Sequence, residues 1–178
     1  MGFNTHKEVI GMKRLLIALL IAALTSGLWA MVLAEEVNLN APWANATYEQ
    51  VEALIGVGLG VPEGAENVVY SILEGRNVAE VSFTWYGLEY FARVMPAGAP
   101  EDISGLTLEW EQTIPFEVGG REGTSSRAKT GSEEVELCQW YDAENALTYC
   151  VVTSDKDLWG FDITAAAEAV YAPALATE

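Results

Sequence analysis

From Val68 onward the chain alternates between apolar and polar positions. VVYSIL (68–73) is β-like, and AEVSFTW (79–85) and LEYFARVM (88–95) repeat at a period of two, which suits strands with one buried face. Glu74-Gly75-Arg76-Asn77 and Tyr86-Gly87 separate the runs, and such residues reverse a chain at little steric cost. The pattern predicts a three-stranded antiparallel meander. PAGAPEDISG (96–105) carries too much Pro and Gly for a ladder and reads as a loop. LTLEWEQTIPFEV (106–118) reads as a longer strand with Leu106, Leu108 and Trp110 on one face. Pro115 has no N–H to donate, so that strand belongs at an edge or a bulge. REGTSSRAKTGS (121–132), polar and small, reads as a weak edge strand at most.

EVELCQWYDAENALTYCVVT (134–153) predicts a hairpin, with aromatic and β-branched arms on either side of Asp-Ala-Glu-Asn-Ala. With Ala143-Glu144-Asn145 as the loop, Asp142 faces Ala146 and Cys138 faces Cys150. Opposed Cβ atoms lie about 4.5–5.5 Å apart, close to disulfide range. A slip of one residue would send the two sulfurs to opposite faces and forbid the bond. A structural disulfide between Cys138 and Cys150 is therefore the expectation, with two small buried thiols as the alternative. Neither C-x-x-C chemistry nor a zinc site follows from two cysteines twelve residues apart.

Two segments change to helical spacing. Thr47-Tyr48-Glu49-Gln50 fits a capping box, Tyr48, Val51, Leu54 and Ile55 follow, and Gly56 stops the helix. After TSDKDLWGFD, Asp162 is a natural N-cap, and Ile163, Ala166, Ala167, Val170 and Tyr171 form one stripe. Pro173 should end this helix, and Leu158, Trp159 and Phe161 should pack beneath it. The fold class is α+β: an antiparallel sheet (meander plus C-terminal hairpin) packed by a short N-terminal helix and a C-terminal helix.

The N-terminus sets the address. Met12-Lys13-Arg14 precedes LLIALLIAALTSGLWAMVLA (15–34), an uncharged run ending in small residues, as in a secretory signal peptide cleaved before Glu35. The same run is long enough for an uncleaved membrane anchor. Residues 1–34 are thus a signal peptide or anchor, 35–46 a linker, 47–173 a single domain and 174–178 a tail. Either way the domain lies outside the cytoplasm, secreted or tethered, where a disulfide persists. The chain carries 26 acids against 9 bases, a net charge of −17. One acid and three bases fall within the first 34 residues, so the remainder carries −19. That field repels nucleic acid and anionic lipid. Membrane contact is left to residues 15–34, and the partner is a protein or small molecule that the sequence does not name.

Little in the domain points to chemistry. The sole histidine, His6, lies in the leader, so Ser104, Ser125 and Ser126 have no imidazole to activate them. Gly56, Gly58 and Gly60 follow a helix and precede a turn, the reverse of the order that a phosphate loop needs. They read instead as a connection with close backbone contacts. Asp155-x-Asp157 with Gly160 and Asp162 imitates a calcium loop, but Ala166 stands where the bidentate Glu belongs. Trp85, Tyr86, Trp110 and Trp140 could stack on sugars, yet their strand positions assign them to core packing. No cofactor, metal or catalytic residue is assigned.

The short helix ending in Gly, the Pro62-Glu63-Gly64 turn, the meander, the Trp140-to-Tyr149 hairpin and the closing helix after Asp162 together resemble an uncharacterised exported family. It is a domain of unknown function in Gram-positive secreted or membrane-anchored proteins. The resemblance spans about residues 47–173. It implies an α+β fold and a Gram-positive source, and it brings no catalytic residues. The expected function is an exported, non-catalytic module that binds a partner or supports an envelope assembly. Two alternatives stand beside it: a carrier or sensor of an apolar ligand beneath the C-terminal helix, and a hydrolase running on carboxylates.

Overall fold

The computed structural model describes residues 39, 42–73, 75–158 and 163–175. The chain divides into two units, Met1–Val37 and Asn38–Glu178, and every described residue belongs to the second. The expected signal peptide or anchor (1–34), Trp159, Phe161 and the expected N-cap Asp162 lie outside the described residues. No helix among the described residues is long and apolar enough to cross a membrane.

The strands are β1 (Trp43–Ala46), β2 (Glu66–Leu73), β3 (Ala79–Trp85), β4 (Leu88–Pro96), β5 (Gln112–Val118), β6 (Arg121–Thr130), β7 (Glu133–Asp142) and β8 (Leu147–Asp155). The helices are α1 (Tyr48–Ile55) and α2 (Thr164–Leu175). All eight strands pair antiparallel in one sheet, in the order β1-β2-β3-β4-β8-β7-β6-β5. Two meanders, β1–β4 and β5–β8, meet at their last strands, which puts β4 and β8 at the centre.

Because side chains alternate along a strand, the register assigns each residue to a face. One face carries Val81, Phe83, Tyr90, Ala92, Val94, Cys138, Trp140, Tyr149 and Val151. These join a single core cluster with Val51 and Ile55 of α1 and with Ile163, Ala166, Ala167, Val170 and Tyr171. At α1, the Gln50 amide donates to Thr47 Oγ1 (3.3 Å) and the Thr47 amide to Gln50 Oε1 (2.8 Å), while Gly56 closes the helix at φ 93°. In the following loop a Cβ at Gly58 would strike the Tyr48 ring, and one at Gly60 would strike the Ala169 carbonyl of α2. These glycines are steric necessities of the helix-to-sheet connection.

The opposite face is crossed by the connection between β4 and β5, residues 97–111. This strap lies over β7 and β8. Tyr141 Oη donates to the Ala97 carbonyl (3.2 Å), Thr148 Oγ1 to Glu101 (3.1 Å), and Gln139 Nε2 to Asp102 Oδ1 (2.8 Å). Ile103, within the strap, is fully buried. The strap explains why 106–111 is not strand: Leu106, Leu108 and Trp110 are half-buried as the chain runs to the far edge, and pairing starts only at Gln112.

Four more expectations are corrected. Residues 43–46, placed in the linker, form β1 by pairing with β2. The polar 121–130 segment is an interior strand of ten residues, while β5 lies at the edge, as expected from Pro115. Serines and threonines hold that interior position because the Ser125 and Ser126 hydroxyls find partners in Glu136 and Thr113. Helix α2 runs through Pro173 to Leu175. Proline loosens that last turn by lacking an N–H, and the Gly60 amide donates to the Val170 carbonyl there (3.1 Å).

The fourth concerns the cysteines. The β7–β8 loop holds four residues, because Asp142 pairs with Leu147 and Ala146 takes a positive φ of 52°. Cys138 consequently faces Val151, and Cys150 faces Gln139. Their side chains lie on opposite faces of the sheet, and no bond joins them. One residue of loop length decides the matter.

Candidate functional site

Buried residues of both helices join the core cluster of one face, and the strap crosses part of the other, which leaves an open stretch there over β2, β3, β4 and β8. A groove of about 460 Å³ lies there, within the 300–1,000 Å³ range usual for small-molecule sites. Its floor is built from cross-strand rungs that the register aligns. The first pairs Glu80 with Arg93, the second runs Ser82–Phe91–Val152, and the third runs Thr84–Glu89–Ser154. Two residues of strand separate neighbouring rungs, about 6.6 Å. A central rung bearing an aromatic ring and a valine is therefore flanked by polar rungs on both sides.

Each boundary of the groove has a local cause. On β2 the register shifts between Glu66 and Val69, and Asn67 adopts φ 54°. Bulges re-aim side chains, and here the Asn67 amide reaches Thr84 Oγ1 (3.2 Å) at the rim. At the opposite end Arg93 donates Nε–H to Glu80 Oε2 (2.7 Å) and Nη1–H to the carbonyls of Ile103 (3.2 Å) and Ser104 (2.6 Å). Its guanidinium also lies 4.6 Å from the Phe91 ring centroid and 5.1 Å from that of Trp43. Arg93 thus fixes the strap, neutralises Glu80 and closes one end of the groove. Among the described residues no side-chain partner engages Ser82, Ser154 or Glu89.

The groups with chemical potential elsewhere are committed to structure. Asp142, wholly buried, accepts from Tyr171 Oη (2.8 Å), Asn145 Nδ2 (2.7 Å), Arg121 Nε (3.3 Å) and the amides of Glu144 (3.0 Å) and Asn145 (3.3 Å). Burial alone would raise its pKa. The hydrogen bonds from Asn145, Tyr171 and the Glu144 amide outweigh burial and hold the carboxyl below its ordinary range. Glu136 accepts from Ser125 Oγ (3.1 Å) and pairs with Arg127 (2.9 Å). Ser104 donates to Asp102 (2.7 Å), and Lys129 pairs with Glu134 (3.2 Å). Burial pushes the Cys150 thiol up to about 12.

The sequence singled out none of the groove residues. Ser82, Thr84, Glu89 and Arg93 are the polar half of the alternation that located the strands, which by itself reads as a solvated face. Ser154 joins them only because β8 inserts beside β4. Of the aromatics assigned to the core, Trp140 is buried, but Tyr86 stands 82% exposed in the β3–β4 turn. No group of three or more His, Cys, Asp or Glu among the described residues could hold a metal ion. Comparison with protein-family models, with curated proteins and with solved structures returns no match.

Proposed function

We propose that this chain is an exported, non-catalytic α+β binding module whose ligand occupies the groove over β2, β3, β4 and β8. Its two helices pack one face of the sheet and leave recognition to the other. One observation carries the reading. The buried carboxylates Asp142 and Glu136 are bound up in hydrogen bonds and ion pairs, whereas the groove side chains Ser82, Glu89 and Ser154 have no side-chain partner among the described residues. Export rests on the uncharged run 15–34, and the resemblance to exported Gram-positive domains agrees with it.

Both alternatives are weaker. The buried carboxylates Asp142 and Glu136 lie on the same face of β7 but six residues apart, about 20 Å along a strand. Carboxylate pairs that hydrolyse glycosides stand about 5–9.5 Å apart. Beneath α2, the space that an apolar ligand would need is occupied by rings. Trp140 and Tyr149 stack at 5.0 Å, and each meets Tyr171 edge-on at 5.8 and 5.3 Å.

The test is an amide NMR titration of the isotope-labelled full chain against peptides, glycans and small amines, run beside turnover assays with chromogenic esters and glycosides. The reading expects shifts at Ser82–Thr84, Glu89–Phe91 and Val152–Ser154, with no turnover. Turnover lost in Glu136→Gln or Asp142→Asn would sink it, and so would shifts confined to another surface.

A further inference from the structure

We infer that the partner of this module is a protein segment carrying arginine, received at the open end of the groove, where the β3–β4 turn stands. The inference rests on the binding-module reading and names the class of its partner. Trp85 pairs with Leu88, so Tyr86 and Gly87 alone make the turn, at φ 50° and 79°. Such a turn favours Asn-Gly, because its first position needs a left-handed backbone that a bulky side chain disfavours. This chain sets a tyrosine there and leaves it 82% exposed, outside the core cluster. Strain held at a side chain that supports no core points to a contact made beyond the chain.

The ring is a prepared platform. Trp85 backs it at 4.5 Å between centroids and is itself anchored, donating Nε1–H to the Glu63 carbonyl (3.2 Å). Val68 and Val69 are exposed at the β2 bulge. Glu66 and Glu89 flank Thr84 on the rung just inside the turn, about 10 Å apart across two strand spacings. Asn67 occupies Thr84 Oγ1 (3.2 Å), but no ion pair among the described residues engages Glu63, Glu66 or Glu89. Lys156, just past β8 at the same end of the sheet, stands between Asp155 and Asp157 in the chain. An anion is repelled here, and a purely apolar partner would bury carboxylates unpaired. Arginine meets both halves of the surface. Its guanidinium stacks on an aromatic ring and donates in pairs to carboxylates, while its stem covers the valines. The chain already holds one such combination, since Arg93 lies 4.6 Å from the Phe91 centroid and donates to Glu80 at 2.7 Å. At the Tyr86 end the ring and the carboxylates stand ready, and the cation is the partner's to supply.

Tetraarginine is the probe, titrated into the isotope-labelled full chain, with tetralysine, tetraglutamate and phosphatidylcholine vesicles beside it. It is expected to shift the amides of Glu66–Val69 and Trp85–Glu89 and to bind more tightly than tetralysine, whose ammonium stacks less well on a ring. Tyr86→Asn restores the residue that the turn prefers. It is expected to keep or raise Tm while weakening tetraarginine about fivefold. Glu66→Gln combined with Glu89→Gln is expected to weaken it about as much at unchanged Tm. Wild-type affinity in Tyr86→Asn, or tetralysine bound as tightly as tetraarginine, reduces the effect to diffuse charge attraction and overturns the inference. Shifts at these amides with vesicles or tetraglutamate, and none with tetraarginine, overturn it as well. If tetraarginine leaves them unmoved while another ligand shifts Ser82 and Val152–Ser154, this inference falls alone. Shifts confined to another surface overturn the binding-module reading with it.

Discussion

Tyr171 on α2 donates its hydroxyl to Asp142 at the end of β7, 2.8 Å away, in a contact from which water is excluded. It ties the C-terminal helix to the central hairpin, and the same carboxylate organises the β7–β8 loop through Asn145 and Glu144. Tyr171→Phe removes the donor and leaves a buried carboxylate oxygen underpartnered. It is expected to cost about 1–3 kcal/mol, read as a lower urea midpoint at an unchanged slope. A wild-type midpoint would show that the bond contributes nothing.

Asp142 also gives stability an acid dependence. Its folded pKa lies below its unfolded one, so its contribution is complete above the ordinary carboxyl value of 3.8 and is lost as pH falls through the folded value. Asp142→Asn is expected to be less stable at neutral pH and to show a flatter stability curve below pH about 4. Parallel curves for variant and wild type would assign the acid limb to other groups.

At alkaline pH the sign reverses. Burial holds the Cys150 thiol at about 12 against an ordinary 9.0, and Tyr90 at about 12 against 10.0. The unfolded chain therefore releases these protons first, and stability falls progressively between pH 9 and 12. The native protein is expected to react negligibly with iodoacetamide at pH 8, and the urea-unfolded chain to be alkylated at both cysteines without prior reduction. Alkylation that needs a reductant would establish a Cys138–Cys150 bridge and contradict the observed register.

Arg93→Lys tests the strap. Lysine retains the charge but cannot reach Glu80 and two strap carbonyls at once. A loss of about 2 kcal/mol is expected from charge-assisted hydrogen bonds, with faster hydrogen exchange confined to residues 97–111 and their partners on β7 and β8. Uniformly faster exchange across the sheet would mean that the strap is not a separate unit.

Three glycines separate steric from conformational effects. Gly60→Ala would drive a Cβ into the Ala169 carbonyl and is expected to cost about 1–3 kcal/mol. Gly64→Ala meets open space but must hold φ 79°, which costs about 1 kcal/mol. Gly98→Ala meets neither constraint and should leave the thermal midpoint unchanged. Equal effects at all three would remove the close helix-to-loop approach as an explanation.

Local chemistry was decided by the sequence. Alternation located β3 and β4, and a β-branched and aromatic run located β2, within two residues, since a half-buried strand needs nothing but its own pleat to show its pattern. Thr47, Gln50 and Gly56 spelled out the ends of α1, because caps are made within one turn. Long-range pairing decided the rest. A four-residue loop instead of three turned Cys138 and Cys150 to opposite faces. The hydroxyls of Ser125 and Ser126 made a polar segment an interior strand once Glu136 and Thr113 stood beside it. The groove exists because β8 lies against β4 and sets Ser154 beside Glu89. No local pattern encodes that adjacency, since the energy that selects it comes from packing both meanders against one shared core.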